Sequence, residues 1–148
     1  MPELPEIETI ARSLQPIVGQ RIKSLEIINP VIIKCRDFAP REIREQVVFQ
    51  VNRRGKFLII LTNSDKSLVV HLGMSGRLYL DDPSHLRPKH THACMLLENG
   101  RELRYFDPRR FGGIWLTRDP YQVTAHLGVE PLGTELTCAY LTGILRRR

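Results

Sequence analysis

The sequence predicts an α+β fold in which one N-terminal helix leads into a mostly antiparallel β-sandwich with flanking helices. Two observations predict it: an apolar stripe at helical spacing near the start of the 148-residue chain, and short apolar runs after it, seven of them from residue 47 onward, separated by turn signals. Many short strands joined by turns favour a sandwich or barrel. Apolar residues make up 42% of the chain and charged residues 26%, values typical of a globular domain and not of a disordered chain.

The first predicted element is an amphipathic helix. Apolar residues recur every three or four positions and form one stripe: Leu4, Ile7, Ala11, Leu14 and Ile17. Pro2 fits the first turn of such a helix, where no backbone donor is needed. Pro16 and Gly19 predict its end.

Short strands follow the helix. They are predicted over 21–29, 31–35, 47–51, 57–61, 68–72, 77–80, 93–98, 101–106 and 113–117, with one or two helical turns over 40–46. The turn Asn99-Gly100 between two apolar runs predicts a hairpin. The C-terminal third is interpreted as loops around Pro120, Gly128, Pro131 and Gly133, followed by a helix start at Thr137.

The charge balance favours a polyanionic partner only weakly. Lys and Arg number 22 against 16 Asp and Glu, a net charge of +6, which an ordinary solvated surface can also have. The clustering of the basic residues, close to several aromatic residues, is more informative and favours nucleic acid. The basic groups are Arg53, Arg54 and Lys56; Arg87, Lys89, His90 and His92; Arg109 and Arg110; and Arg146, Arg147 and Arg148. The aromatic residues are Tyr105, Phe106, Phe111 and Trp115.

Membrane insertion and export are not predicted. No run of 18 apolar residues occurs, and acidic residues (Glu3, Glu6 and Glu8) stand where a secretory signal has basic ones. Three widely spaced cysteines, Cys35, Cys94 and Cys138, predict reduced thiols in a cytoplasmic protein. No Cys-x-x-Cys motif is present, so we predict no structural metal site in this sequence.

The first six residues contain the groups needed for nucleophilic catalysis. Once Met1 is removed, the nitrogen of Pro2 is a free secondary amine, and a helix N-terminus lowers the pKa of such a group below the usual value of about 7.7–8.0. A neutral amine can attack C1′ of a sugar and form an iminium ion. Glu3 and Glu6 lie beside it on neighbouring helical turns and can transfer protons. The alternative is that Pro2 and the acidic residues only cap the helix.

Five motifs stand in order along nearly the whole chain. They are Met1-Pro2-Glu3-Leu4-Pro5-Glu6-Ile7-Glu8-Thr9, Arg53-Arg54-Gly55-Lys56, His71-Leu72-Gly73-Met74-Ser75-Gly76, Tyr105-Phe106-Asp107-Pro108-Arg109-Arg110-Phe111-Gly112 and His126-Leu127-Gly128-Val129-Glu130-Pro131-Leu132. Together they resemble the formamidopyrimidine-DNA glycosylases, bacterial base-excision repair enzymes of the Fpg/Nei family. The start of the chain and the Met74 segment resemble the Fpg branch of that family.

The resemblance implies a bifunctional DNA glycosylase and AP lyase that removes 8-oxoguanine and formamidopyrimidines from damaged double-stranded DNA through a Schiff base. It implies that Pro2 is the nucleophile, that Glu3 is the acid that assists sugar opening, and that Glu6 belongs to the same polar site. Lys56 resembles the lysine that contacts phosphate and assists β-elimination. A solvated hairpin charge remains the alternative for Lys56.

The resemblance also implies the DNA contacts. His71 and His90 resemble DNA-contacting histidines, although His71 can equally be a satisfied core residue. Met74, Arg109 and Phe111 resemble the three residues that fill the gap left by an everted nucleotide. Eversion costs a few kcal/mol of unstacking, which a flexible thioether, a guanidinium group and an aromatic ring can offset. The alternative for Met74 and Phe111 is burial in the core, but neighbouring glycines favour exposed turns.

Proteins of this family are nearly twice as long as this chain and have a second domain with a helix–two-turn–helix motif and a zinc finger. Residues 1–133 are predicted to form the N-terminal catalytic domain, and residues 134–148 the start of a linker toward that second domain. The family's zinc belongs to the finger, so no cofactor is expected here. We expect a monomer with impaired activity. The alternatives are a non-catalytic damaged-DNA-binding remnant, a half-enzyme that needs a second polypeptide, and a folded sandwich without function.

Overall fold

The computed structural model describes residues 4–129 of the 148-residue chain, with side chains over 6–125. Helix α1 (Leu4–Ser13) precedes nine strands, and helix α2 (Pro120–Val129) follows them. The strands are β1 (Ile22–Ile27), β2 (Ile33–Arg36), β3 (Val48–Arg54), β4 (Phe57–Thr62), β5 (Ser67–His71), β6 (Arg77–Asp81), β7 (Thr91–Leu97), β8 (Glu102–Phe106) and β9 (Gly113–Thr117). Single 3-10 turns occur at Gln15–Ile17, Pro30–Ile32 and Pro40–Ile43.

The strands form two sheets that enclose one apolar core. One sheet has the order β1-β7-β8-β6 and the other β2-β9-β5-β4-β3, and every neighbouring pair is antiparallel except β2 with β9. Buried side chains of both sheets meet between them, including Ile60, Val70, Leu78 and Leu103. The predicted α+β fold with a mostly antiparallel sandwich is confirmed.

The apolar stripe of α1 packs into the same core. Ile7, Ala11, Leu14 and Ile17 are all buried, which confirms the predicted amphipathic helix. The regular helix ends at Ser13, earlier than predicted, and the Gln15–Ile17 turn covers the remaining part of the stripe. The 3-10 turn accommodates Pro16, which has no N–H to donate to the helix.

Two segments differ from the predicted secondary structure. The predicted strand over 31–35 begins only at Ile33, because the Pro30–Ile32 turn takes up its first residues. The segment predicted as loops around Pro120 and Gly128 is helix α2, in which proline occupies the first helical position. Val123 of α2 is buried against the outer face of the five-stranded sheet. Several predictions lie outside the described residues: the turns at Pro131 and Gly133, the helix start at Thr137, the domain boundary at 133 and the linker over 134–148.

The prediction of reduced thiols is wrong for Cys35, which is disulfide-bonded, whereas Cys94 is a buried free thiol. Spacing along the chain does not determine which sulfur atoms meet in the fold. Burial raises the pKa of the Cys94 thiol to about 12, so it stays protonated at neutral pH. Over the described part of the chain, neither helix is long and apolar enough to cross a membrane.

Candidate nucleic-acid interface

Strand register brings three of the sequence motifs to one end of the five-stranded sheet. Phe57 at the start of β4 pairs with His71 at the end of β5, and His71 pairs with Gly113 at the start of β9. Lys56 directly precedes Phe57 in the turn between β3 and β4. That turn, the segment after β5 and the segment before β9 therefore lie side by side.

The four-stranded sheet contributes to the same end of the sandwich. Phe106 at the end of β8 pairs with Arg77 at the start of β6 and with Thr91 at the start of β7. The β5–β6 loop (residues 72–76) and the β8–β9 loop (residues 107–112) both cross from one sheet to the other. These two loops, the β3–β4 turn and His90 thus share one end of the sandwich, which we call the loop end.

Met74, Arg109 and Phe111 are exposed at the loop end. The exposed fraction is 54% for Met74 and 60% for Phe111, so neither side chain is part of the core. Arg109 is also exposed and lies on the same loop as Phe111. The prediction that the glycine-flanked loops expose Met74 and Phe111 is confirmed.

Asp107 joins the two loops at the loop end, a role that the sequence alone does not predict. Its fully buried carboxylate accepts four hydrogen bonds. The donors are Ser75 Oγ (3.0 Å) and the Arg110 amide (3.0 Å) to Oδ1, and the Tyr105 hydroxyl (2.9 Å) and the Gly112 amide (3.0 Å) to Oδ2. Burial, together with the negative charge of Asp107, raises the pKa of Tyr105, so the Tyr105 hydroxyl keeps the proton that it donates.

The backbones of the two loops touch. A Cβ atom on Gly73 would lie 2.6 Å from the amide nitrogen of Gly112 and 2.7 Å from the carbonyl carbon of Phe111. Gly73 also has a φ of +60°, a conformation that glycine adopts without strain. Arg110 adopts a similar φ of +58°, and its amide hydrogen bond to Asp107 stabilises that conformation.

His71 is buried (2% exposed), and the Gly73 amide donates a hydrogen bond of 2.9 Å to its Nδ1. An accepting Nδ1 in a neutral imidazole places the proton on Nε2. Burial, and to a lesser degree the positive charge of Lys56, lower the pKa of His71 from 6.5 to about 4, although Asp107 opposes this shift. His71 is thus a buried neutral histidine with a hydrogen-bond partner, which agrees with the alternative of a satisfied core residue. Its contact with DNA remains a prediction.

The basic residues of the β3–β4 turn have different surroundings. Lys56 is exposed and close enough to His71 to affect its pKa. Arg53 Nη1 donates to the carbonyl of Gly55 at 3.1 Å. The Arg54 guanidinium lies 5.5 Å from the centre of the Tyr121 ring and so contacts α2.

Of the histidines near β7, His90 is exposed and His92 is buried. The His90 ring lies 6.4 Å from the His92 ring and 6.5 Å from the Phe106 ring. The backbone carbonyl of His90 accepts a hydrogen bond of 3.1 Å from the Asp107 amide. Residue 90 has a φ of +72°. The grouping of aromatic residues as a nucleic-acid footprint is wrong for Tyr105 and Trp115, which are buried because their strand positions face packed surfaces.

The chain that follows α1 contacts β3. Gln15 Nε2 donates to the Val51 carbonyl at 3.3 Å, and the Gly19 amide donates to the Val48 carbonyl at 2.7 Å. The chain after α1 thus runs toward the beginning of β3, and α1 itself packs against β3, β4 and β6. Glu6 is exposed in the first turn of α1.

Pro2 and Glu3, the predicted nucleophile and its acid, lie outside the described residues. No group of three or more His, Cys, Asp or Glu side chains within the described range could hold a metal ion.

A second feature missed from the sequence is the buried guanidinium of Arg104. It has no exposed surface and lies on the face of the four-stranded sheet that is opposite to the core. Nε donates to Glu102 Oε1 at 3.1 Å, Nη1 to Asp81 Oδ2 at 3.2 Å and Nη2 to the His85 carbonyl at 2.7 Å. Arg104 thereby holds the segment that leads to His90 against the sheet.

Comparisons with known proteins agree on one family. The family model described as the formamidopyrimidine-DNA glycosylase N-terminal domain matches residues 1–114. A formamidopyrimidine-DNA glycosylase of Syntrophomonas wolfei is 45% identical over 150 aligned residues, which cover 100% of this chain and 56% of the relative. One of Pelotomaculum thermopropionicum is 38% identical, with the same coverage.

Solved structures agree as well. The Lactococcus lactis enzyme bound non-covalently to DNA with an AP site superposes with a TM-score of 0.76 at 34% identity, over 86% of this chain and 49% of that one. MutM in complex with DNA containing carbocyclic 8-oxo-G gives a TM-score of 0.76 at 35% identity, over 86% and 48% of the two chains. The chain spans about half the length of the curated relatives it matches (56%). With the family model matching more than half of its residues, the chain belongs to the formamidopyrimidine-DNA glycosylases and contains their N-terminal domain.

Proposed function

We propose that this chain acts in base-excision repair in the bacterial cytoplasm, as the N-terminal part of a bifunctional DNA glycosylase and AP lyase. Its substrate is damaged double-stranded DNA with oxidised purines or abasic sites. The observation that supports this best is the convergence at the loop end of side chains that can donate hydrogen bonds and of large exposed apolar side chains. The donors are Lys56, His90 and Arg109, and the apolar side chains are Met74 and Phe111.

The nitrogen donors at the loop end serve to bind phosphates. Lys56 and Arg109 are exposed there, and His71 has its proton on Nε2, which suits donation to a phosphate oxygen. Such contacts are independent of base sequence and weaken as salt rises. For the 148-residue chain alone, we expect a Kd of about 10⁻⁴–10⁻⁶ M at physiological salt, the range of non-specific binding.

The exposed side chains of the two loops serve to fill the space left by an everted nucleotide. Phe111 can stack on a base, Met74 can adapt to an irregular gap, and Arg109 can donate to the orphaned base. The 54% and 60% exposure of Met74 and Phe111 is consistent with this role, since neither is needed for the core of the free protein.

The chemical step begins at Pro2 once Met1 has been removed. The nitrogen lone pair of Pro2 forms a bond to C1′ of the opened abasic sugar. The aldehyde oxygen leaves as water, taking the proton of the amine and one proton from Glu3, and an iminium ion remains. The Glu3 carboxylate, having given up its proton, then takes a proton from C2′, and the electron pair of that C–H bond forms the double bond that expels the 3′ phosphate next to the positive charge of Lys56. On a damaged nucleotide, the same attack at C1′ displaces the base, which leaves with a proton.

Single-turnover cleavage by the 148-residue chain tests this proposal. Two matched duplexes are compared, one with an abasic site and one with 8-oxoguanine. We expect faster cleavage of the abasic duplex, because its sugar already opens and its eversion costs little stacking energy. Phe111→Ala should slow cleavage, whereas Phe49→Ala should not.

Phe49 is a matched control for Phe111. Its exposed fraction is 63%, close to the 60% of Phe111, but it lies near the start of β3, away from the loop end. Binding without any cleavage would favour the non-catalytic DNA-binding alternative. Equal losses in the two Phe variants would contradict the assignment of the loop end as the DNA-binding surface.

A further inference from the structure

We propose that Ser75 and Asp107 are positioning residues that make the β5–β6 and β8–β9 loops enter damaged DNA as one unit. This inference rests on the proposed function, because it concerns how Met74 and Phe111 reach the gap in the duplex. It assigns to the Ser75–Asp107 pair a role in coupling the two inserted side chains.

Ser75 is the only hydroxyl of the β5–β6 loop, and it contacts the β8–β9 loop twice. Its Oγ donates a hydrogen bond of 3.0 Å to Asp107 Oδ1 and accepts one of 3.3 Å from the Arg109 amide. Ser75 is adjacent in sequence to Met74. One hydroxyl thus connects the backbone beside Met74 to the backbone of Arg109.

The acceptor of this contact is held in place from the core. Asp107 has no exposed surface, and its second oxygen accepts from the Tyr105 hydroxyl and the Gly112 amide. Any rotation of this carboxylate, other than the exchange of its two equivalent oxygens, would break some of the four hydrogen bonds, and an unsatisfied buried charge is costly. The Ser75 contact therefore ties the β5–β6 loop to a rigid point of the β8–β9 loop.

Backbone contact between the loops strengthens this coupling. Gly73 lies so close to Gly112 that the β5–β6 loop cannot shift toward its neighbour without displacing it. Outward displacement is resisted by the Ser75 hydrogen bonds. Met74 and Phe111 consequently have a fixed relative position before DNA arrives, which reduces the entropy lost when both side chains are inserted.

Two variants that each lack one hydroxyl distinguish coupling between the two loops from a change in the overall stability of the protein. Ser75→Ala and Tyr105→Phe each remove one hydroxyl donor to Asp107. Only Ser75 lies between the loops, since Tyr105 belongs to β8, the strand that leads directly into the β8–β9 loop. If Asp107 has only a structural role, the two variants should behave alike in DNA binding once their thermal stabilities are compared.

The test is a double-mutant cycle in the 148-residue chain. The Kd for a duplex with an abasic site opposite 2-aminopurine is measured for Met74→Ala, Phe111→Ala and the double variant, in wild-type, Ser75→Ala and Tyr105→Phe backgrounds. The fluorescence of 2-aminopurine reports stacking of the inserted side chains. In the wild-type and Tyr105→Phe backgrounds, the fold-change in Kd caused by the double variant should differ about fivefold from the product of the fold-changes caused by the two single variants.

In the Ser75→Ala background, we expect no coupling: the fold-change in Kd of the double variant should equal the product of the two single fold-changes. The same fivefold coupling in the Ser75→Ala background would overturn this inference while leaving the proposed function intact. Loss of coupling in the Tyr105→Phe background as well would also overturn it, because the effect would then follow from Asp107 in general. No effect of Met74→Ala and Phe111→Ala on binding or fluorescence would overturn the gap-filling role itself, and this inference with it.

Discussion

The Gly73 amide donates a hydrogen bond of 2.9 Å to Nδ1 of His71, and this contact joins the last residue of β5 to the loop that follows it. It requires an unprotonated Nδ1, so protonation of His71 would break it. The neutral form is also favoured by burial and by the charge of Lys56, which lower the pKa of His71 to about 4. The conformation of the β5–β6 loop therefore depends on a neutral histidine.

The stability of the protein should decrease as the pH falls from about 6.5 to about 4. In this window, the unfolded chain takes up a proton at His71, whereas the folded chain holds the imidazole neutral down to a pKa of about 4. The stabilisation is fully present above pH 6.5 and amounts to about 3 kcal/mol at most. Urea unfolding at several pH values, compared with His71→Asn, measures it.

The Asn variant is the control for the other titrating groups. Its side-chain oxygen can accept from the Gly73 amide, but it does not titrate. The difference in free energy of unfolding between wild type and His71→Asn should shrink from pH 7 to pH 4. A difference that stays constant over this range would mean that His71 titrates normally in the folded protein.

The close approach of the two loops predicts that Gly73→Ala destabilises the protein more than Gly55→Ala. Both glycines have a φ of +60°, so alanine at either position costs about 1–2 kcal/mol of backbone strain. A Cβ on Gly55 meets nothing within 4 Å, whereas one on Gly73 meets the backbone of Gly112 and Phe111. Overpacking should add about 1–3 kcal/mol at Gly73, measured by urea unfolding. Equal losses would show that the loops separate readily.

Arg104→Met should destabilise the protein by about 3 kcal/mol or more, because it leaves the buried Glu102 carboxylate without one of its partners. The control is Arg12→Met, which removes an exposed ion pair with Glu8 at 3.7 Å and should cost less than about 1 kcal/mol. Thermal unfolding compares the two. If both variants melt at the same temperature, the Arg104 network does not stabilise the fold as described.

Lys56→Met should reduce the salt dependence of DNA binding. Loss of one phosphate contact lowers the slope of log K against log salt by about 0.9. Lys23→Met is the matched control, because Lys23 is also exposed but lies near the start of β1, which pairs with the end of β7 away from the loop end. Fluorescence anisotropy at several salt concentrations measures both slopes. An equal change in the two variants would indicate only a general effect of net charge.

Local patterns in the sequence predicted most of the fold. The apolar stripe from Leu4 to Ile17 predicted α1, and Asn99-Gly100 predicted the β7–β8 hairpin, in which Gly100 has a φ of +87°. Both features depend on residues close together in the sequence. Helix α2 is not predicted by such a pattern, because proline is a loop signal and is also common at the first position of a helix, which Pro120 occupies.

For the candidate site, the sequence predicts which loop side chains are exposed, but it does not predict the buried polar residues that hold the loops in place. The glycines around Met74 and Phe111 predicted their exposure. Asp107 was missed because its donors come from two loops and a strand, and Ser75 lies 32 positions away in the sequence. Arg104 was missed since a charged residue in a strand is normally exposed, and only the folded structure shows the partners that allow its burial.

The most direct test of the proposed mechanism is covalent trapping of the 148-residue chain on DNA that contains an abasic site. Borohydride reduces the iminium ion to a stable amine, and mass spectrometry of the digested adduct identifies the attached residue. We predict that the sugar is attached to Pro2 in chains without Met1, and that chains retaining Met1, in which the Pro2 nitrogen is an amide, are not trapped. Equal trapping of the Met1-retaining chain, or attachment at Lys56, would contradict the assignment of Pro2 as the nucleophile.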